Sequence, residues 1–292
     1  GVIGYVSQDD LLIEELTVFQ NIFYNAKLCF GDLSNFQIAK LTFRVLHSLG
    51  LYETKHLKVG SPLEKTISGG QRKRVNIALE LIREPSILFV DEPTSGLSSR
   101  DSENIMDLLK ELSLRGKLIF VVIHQPSSEI FKMFDKLIIL DTGGYLIYNG
   151  NPVDAIIYFK KQIQQANAIE SECVECGNVN PEQIFNIIES KILDEYGNQT
   201  DKRRVYPKEW YKKYKDDLKS KQQEIEVNTN SPISNLKIPN PWKQFKVFIK
   251  RDVLSKLTNK QYLLINFLEA PVLGFILSFL IKYSAAEASE GG

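Results

Sequence analysis

The stretch Glu84-Pro-Ser-Ile-Leu-Phe-Val-Asp-Glu-Pro-Thr-Ser-Gly-Leu-Ser-Ser99 decides the fold. Within it, Ser86-Ile-Leu-Phe-Val-Asp91 is a continuous apolar run of strand length, closed by the carboxylates of Asp91 and Glu92. Such a run suits a strand buried on both faces of a parallel sheet, and sites in α/β folds form at the carboxyl ends of strands. Working outward, Lys117-Leu-Ile-Phe-Val-Val-Ile-His124 is a second run of this kind, ending in His124. Between them Ile105, Leu108, Leu109 and Leu112 recur at helical spacing and predict a crossover helix. Upstream, Tyr5-Val-Ser-Gln8 reads as a short strand ending in Gln8. Downstream, two strand-like runs, Lys136–Asp141 and Tyr145–Tyr148, flank Thr142-Gly-Gly144 and predict a hairpin. Residues 1–160 are therefore expected to form an α/β domain.

Composition narrows the class further. The 292 residues are 43% hydrophobic and 25% charged, which excludes both a disordered tail and a wholly membrane-embedded protein. Thirty-six basic residues balance thirty-six acidic ones, which excludes a globally basic nucleic-acid binder. Three cysteines cannot form a disulfide scaffold. The chain opens on Gly-Val-Ile-Gly, with no initiator Met and no signal-peptide pattern, and is expected to be a fragment.

Past the α/β region the sequence changes twice. Residues 161–240 are polar and helix-prone, broken by turn signals, and read as a mostly helical connector. Ile184, Ile187, Ile188 and Ile192 predict an amphipathic helix over Pro181–Asp194, and Ile225–Pro241 reads as a linker. Residues 241–260 then interleave Trp242, Phe245, Phe248, Ile249, Val253 and Leu257 with Lys243, Lys246, Lys250, Arg251 and Lys256, the pattern of an interfacial helix. Residues 261–283 are almost wholly apolar, and about 20 helical residues span a hydrocarbon core of roughly 30 Å. This segment predicts a transmembrane helix, with residues 284–292 as a tail. From Lys202 to Lys260 sixteen Lys and Arg face six Asp and Glu, which suits a cytoplasmic surface near anionic lipid without nucleic acid.

Five features within the first 125 residues carry chemistry: Gln8; Ser68-Gly69-Gly70-Gln71 with Arg72-Lys-Arg74; Asp91-Glu92; Pro93-Thr-Ser-Gly-Leu-Ser98; and His124-Gln-Pro-Ser127. Small residues before a helix let backbone N–H groups approach a phosphate, and the helix N-terminus adds its positive dipole end. In nucleotide hydrolases an Asp at a strand end holds Mg²⁺, and a neighbouring polar group orients the attacking water. Each feature alone has an ordinary structural explanation; their joint order and spacing does not.

In that order the residues closely resemble the nucleotide-binding domain of ATP-binding cassette (ABC) proteins. Ser68-Gly-Gly-Gln71 resembles the signature motif, Asp91-Glu92 the Walker B motif, Gln8 the Q-loop and His124 the switch histidine. Arg72-Lys-Arg74, Thr94-Ser-Gly-Leu97 and His124-Gln-Pro-Ser-Ser-Glu-Ile-Phe131 are similar to the G subfamily of half-transporters, as is an ATPase domain preceding a membrane domain. The resemblance implies an α/β P-loop NTPase fold and an ATP- and Mg²⁺-dependent ATPase driving transport, with export favoured. It implies that Asp91, with Gln8, holds Mg²⁺, that Glu92 polarises the attacking water and that His124 contacts the γ-phosphate. Ser68, Gly69, Gly70, Gln71 and Ser98 would act on nucleotide held by a second protomer, so the implied partner is another half-transporter, a homodimer by default. The implied location is the plasma membrane, with the ATPase domain on the cytoplasmic side.

Two departures and two rival readings accompany this. No Gly-x-x-x-x-Gly-Lys-Ser/Thr loop occurs in the 292 residues, and it is expected upstream of Gly1. Ser98 stands where the family usually has Asp, which bears on coupling between the two sites. One rival is a soluble ABC ATPase working on DNA or ribosomes; another is a catalytically impaired regulatory or scaffold subunit. Cys173-Val-Glu-Cys176 is a single C-x-x-C: two loop cysteines, half of a Cys₄ zinc site completed by a dimer, or a redox pair. Glu269, inside the apolar segment, is costly unless it faces a partner or a polar path.

Overall fold

The computed structural model describes residues 2–61, 66–163, 179–196, 198–219 and 236–290. In chain order the first elements are β1 (Ile3–Val6), α1 (Val18–Cys29), α2 (Asn35–Ser48), α3 (Gly69–Leu81), β2 (Ile87–Asp91), α4 (Ser99–Leu114) and β3 (Leu118–Val122). There follow α5 (Ser128–Lys132), β4 (Leu137–Asp141), β5 (Tyr145–Gly150), α6 (Pro152–Gln162), α7 (Glu182–Ile188), β6 (Lys191–Leu193), β7 (Gln199–Arg203) and α8 (Pro207–Lys219). Two helices close the order, α9 (Pro241–Thr258) and α10 (Lys260–Glu290). They fall into two compact units: Gly1–Asp101 with Gly116–Phe120 and Ile233–Gly292, and Ser102–Arg115 with Val121–Pro232.

The first unit is built on a sheet of order β1-β2-β3. Strands β1 and β2 are parallel and in register from Ile3↔Ile87 to Val6↔Val90. Val6, Leu88 and Val90 are buried, and α3 lies against β1. The apolar runs were expected to be buried on both faces; instead Ile3, Tyr5, Phe89, Leu118 and Phe120 are exposed. Burial follows the two-residue period of each strand because, among the described residues of this unit, helices pack on one face only. On the open face the rings of Phe89 and Phe120 stack at 4.9 Å.

The three helices beside this sheet start in the same way. Thr17, Ser34 and Ser68 each accept the N–H of a Gln three residues on, and that Gln side chain accepts the cap residue's own N–H. This reciprocal capping box satisfies two donors that a helix start otherwise leaves unpaired. Val18, Ile22 and Ala26 of α1 and Ile38, Val45 and Leu46 of α2 form the buried stripes expected of 3.6-residue periodicity. Asn240 caps α9, Pro241 occupies its first turn, and Val247 is its buried residue beside α1. Asn259 separates α9 from α10, whose span Lys260–Ile281 is long and apolar enough to cross a membrane and is not buried among the described residues.

In the second unit β4 and β5 form the expected hairpin, with Gly143 and Gly144 at φ 87° and 76° in its turn. Its core gathers Phe131, Ile147, Ile156, Phe159, Ile184, Ile188 and Trp210. The helix expected over Pro181–Asp194 ends at Ile188, and Lys191–Leu193 pairs with Gln199–Arg203. Ile192 consequently lies 47% exposed on a strand. The cause is local: Asp194 Oδ1 accepts the N–H groups of Tyr196 and Asn198, and this turn offers the backbone an alternative to helix. The connector thus contains a β-hairpin as well as helices. Cys173 and Cys176 lie outside the described residues.

Candidate functional site

Because β1 and β2 run parallel and in register, the residues just past them emerge side by side. Gln8 Nε2 donates to Glu92 Oε2 at 2.9 Å. One layer deeper the Tyr5 hydroxyl donates to Asp91 Oδ2 at 3.1 Å. That hydrogen bond first, then the Asp91 charge and a little burial, raise the Tyr5 pKa above its ordinary value. Glu92 has φ 40°, and its carbonyl accepts the Ser95 N–H at 3.3 Å, so the chain turns sharply straight after the carboxylate.

The loop carrying Gln8 is held from beneath by α3. Lys73 Nζ donates to the carbonyls of Gln8 and Ser7 at 3.0 and 3.4 Å, and Asn76 Nδ2 to Ser7 at 3.2 Å. Arg72 forks onto Asp10 at 2.5 and 2.9 Å and also donates to the Gly60 carbonyl. Burial lowers the Lys73 pKa, while Asp10, Asp91, Asp9 and Glu92 pull it back up. Further along the loop Glu15 accepts from Ser255 Oγ at 2.9 Å and Asn259 Nδ2 at 3.1 Å, at the junction of α9 and α10. Lys58 Nζ donates to the Thr258 carbonyl at 3.1 Å. Burial alone would raise the Glu15 pKa, but its own backbone N–H, Ser255, Asn259 and Lys58 bring it below the usual value.

At the start of α3, Ser68 Oγ accepts the Gln71 N–H at 3.1 Å and Gln71 Oε1 accepts the Ser68 N–H at 2.9 Å. The first intrahelical bond runs from Arg72 to the Ser68 carbonyl. Gly69 and Gly70 therefore present N–H groups with no acceptor among the described residues, the arrangement that receives an anion. A Cβ on Gly70 would lie 2.6 Å from Asp101 Oδ1, so glycine here admits the Asp101 carboxylate. Ser98 Oγ accepts the Asp101 N–H at 3.2 Å and donates to Asp101 Oδ2 at 3.0 Å. Ser98 is thereby the N-cap of α4, a position that Ser and Asp fill equally well.

Gln8, Asp91 and Glu92 are thus brought together at the strand ends, while Gly70 and Ser98 meet at Asp101, Gly69 lies against Leu97, and Ser68 and Gln71 bond each other at the start of α3. His124 belongs to the second unit, exposed in the bend after β3, and Gln125 behind it has φ 46°. Sequence reasoning gave no role to Tyr5, Asn76 and Glu15 and took Lys73 only as part of Arg72-Lys-Arg74, because their roles arise from contacts distant in sequence. For Mg²⁺, Asp91 and the Gln8 amide oxygen are a suitable donor set, since that ion takes one or two protein oxygens and completes its shell with phosphates and water. Among the described residues no cluster of three His, Cys, Asp or Glu exists to form an all-protein cage.

Two family models match the chain: the ABC transporter model over residues 1–95 and the ABC-2 type transporter model over residues 124–167. ABC transporter G family member 28 of Arabidopsis thaliana is 44% identical over 150 residues, 51% of this chain and 14% of that protein. ABC transporter G family member 14 of the same plant is 41% identical over 157 residues, 53% of this chain and 24% of that protein. The broad substrate specificity ATP-binding cassette transporter ABCG2 of Bos taurus matches with the same identity and the same two shares. The chain therefore spans at most about a quarter of the length of these relatives. The ABC model carries with it the P-loop NTPase fold. Ordered motifs whose strand-end residues meet in space, two matching family models and relatives above 40% identity make the matched part of this chain similar to ABC transporters of the G family.

Proposed function

We propose that this chain contributes the ATP-binding and ATP-hydrolysing part of a G-branch ABC transporter, coupling hydrolysis to export of a substrate across the plasma membrane. The observation that carries the reading is the Gln8–Glu92 hydrogen bond at the ends of two parallel strands, with Asp91 held alongside by Tyr5. In the reaction ATP and water give ADP and phosphate. Glu92 orients the attacking water and takes up its proton, Asp91 and Gln8 hold Mg²⁺, and His124 contacts the γ-phosphate. When bound, Mg²⁺ neutralises charge on the β- and γ-phosphates. Ser68, Gly69, Gly70, Gln71 and Ser98 act on nucleotide held by a second copy of the protein, so the active form is a homodimer. The α/β region stands on the cytoplasmic side, α9 lies along the interface, and α10 enters the bilayer.

The test is Glu92→Gln in the full-length gene product, purified in lipid nanodiscs. Hydrolysis is expected to fall by about 10²-fold or more, because general-base and orienting roles carry that much. Equilibrium binding of Mg-ATP should stay within about twofold, since uniform binding does not depend on the base. Undiminished turnover in Glu92→Gln removes the carboxylate from the mechanism. Absence of turnover in the wild type shifts the reading to a regulatory subunit.

A further inference from the structure

Lys73 is 9% exposed and Asn76 4%, and neither has a part in the chemistry above. Burying an ammonium is unfavourable unless it is fully engaged, so a lysine at this depth needs hydrogen-bond acceptors within reach. Its partners are the carbonyls of Ser7 and Gln8, at 3.4 and 3.0 Å, and Asn76 adds a second donor to Ser7 at 3.2 Å. Together they fix the main chain from which the Gln8 side chain reaches Glu92. Both donors stand on α3, the 13-residue helix that begins at Gly69 behind its cap Ser68. Lys73 follows Ser68 by five residues, so the two move as parts of one rigid rod.

We propose that Lys73, supported by Asn76, is a positioning residue that ties the start of α3 to Gln8. When Ser68-Gly-Gly-Gln71 engages nucleotide on the opposing chain, displacement of α3 is delivered through the Ser7 and Gln8 carbonyls to the Gln8–Glu92 pair of the same chain. Each protomer's hydrolytic geometry is then set by its contact with the other protomer's nucleotide. The kinetic part of this proposal rests on the hydrolysis reading above; the mechanical part, that Lys73 fixes the Gln8 loop, does not.

The experiment uses the full-length protein in nanodiscs and the variants Lys73→Met, Lys73→Arg and Asn76→Ala, each alone and combined with Gln8→Ala. Amide hydrogen exchange is read without nucleotide over a peptide covering Val6–Asp10, with α2 as an internal reference. Lys73→Met should speed exchange in that peptide by about tenfold and leave α2 unchanged, since local opening is governed by local contacts. The kcat for ATP hydrolysis should fall roughly tenfold with KM within about twofold, the mark of an interaction made in the transition state. In the Gln8→Ala background Lys73→Met should lower kcat no further, because the two act through one group. Lys73→Arg, which keeps the donor, should recover kcat to within about threefold of the wild type. Multiplicative losses in the double variant, or unchanged exchange at Val6–Asp10, overturn the proposal. If Lys73→Met does not fold, Asn76→Ala decides by the same readouts. If the wild type hydrolyses no ATP, the hydrolysis reading falls while exchange still decides whether Lys73 holds the loop.

Discussion

Glu92 sits at φ 40°, a backbone region that residues with a side chain enter at about 1–3 kcal/mol. Here it is over-determined: the bond from Gln8 fixes one end and the turn closed by Ser95 fixes the other. The torsion aims the carboxylate back across the strand ends instead of onward along β2. Gly70 shows the converse economy, an absent side chain that admits a neighbour's. Gly70→Ala is expected to force the start of α3 off Asp101 and lower hydrolysis in the full-length protein by at least about tenfold, because small misplacements at a site are amplified in rate. Asp101→Ala added to it removes the contacts at 2.6 and 2.9 Å and leaves one at 3.2 Å, so part of the loss should return. A double variant no better than Gly70→Ala alone would separate the glycine requirement from Asp101. The carboxylates and glycines of the site were legible because their chemistry demands those residue types at strand and helix ends. Tyr5 and Lys73 were not, since each reads locally as an ordinary strand or helix residue and acquires its partner only through folding.

Elements whose local signals agreed with their packing were readable in advance. The β4–β5 hairpin follows from Thr142-Gly-Gly144, and α4 from its apolar spacing. The capping boxes at Thr17, Ser34 and Ser68 are also written in the sequence, as a Ser or Thr followed by Gln three residues later. The helix expected to run on to Asp194 failed for a definite reason: its isoleucine period fits four positions, but Asp194 competes for the backbone and the chain turns back as β7. What holds that hairpin to the unit is Arg203, whose guanidinium donates to Asp141 Oδ1 at 2.8 Å on β4. The Asp141 side chain is 4% exposed, and its Oδ2 has no partner among the described residues. Removing one member of a buried pair strands the other charge, so Arg203→Met should destabilise this unit by about 3 kcal/mol. Melting followed by the emission of fully buried Trp210 should shift down by about 10 °C. Asp141→Asn in the same chain should recover most of that shift, because no uncompensated charge then remains. An unchanged melting temperature in Arg203→Met would show that the ion pair does not tie β7 to β4.

For the whole molecule, the decisive contrast is between segments that bury their apolar residues and the one that does not. Through Thr258 most helices turn an apolar stripe inward, whereas α10 exposes Leu264, Phe267, Phe275, Ile276, Leu277 and Ile281 in all directions. A helix apolar all round and covered by none of the described residues suits hydrocarbon as solvent. Pro271 within it removes one backbone donor, which membrane helices tolerate when neighbours satisfy the freed carbonyl. The preceding α9 keeps Val247 against α1 while Trp242, Phe245, Ile249, Val253 and Leu257 recur at spacings of three and four residues on the exposed side. Lys246, Lys250 and Lys256 flank that stripe, the arrangement of a helix lying where acyl chains meet headgroups. Glu15 and Lys58 hold the end of α9 from the α/β side, so the Gln8 loop is joined to the base of α10 by a short run of chain and three hydrogen bonds. In the orientation proposed above, the basic-rich segment from Lys202 to Lys260 is expected on the cytoplasmic side, since short segments beside a membrane helix stay cytoplasmic when rich in Lys and Arg. Trypsin applied to sealed inside-out vesicles carrying the full-length protein should therefore cut within Lys202–Lys260, and right-side-out vesicles should protect the same sites. Cleavage from the outside would reverse the orientation and detach the α/β region from cytoplasmic ATP. Release of the protein from vesicles by alkaline carbonate without detergent would remove α10 from the bilayer altogether, because a spanning helix is not extracted by stripping surface charge.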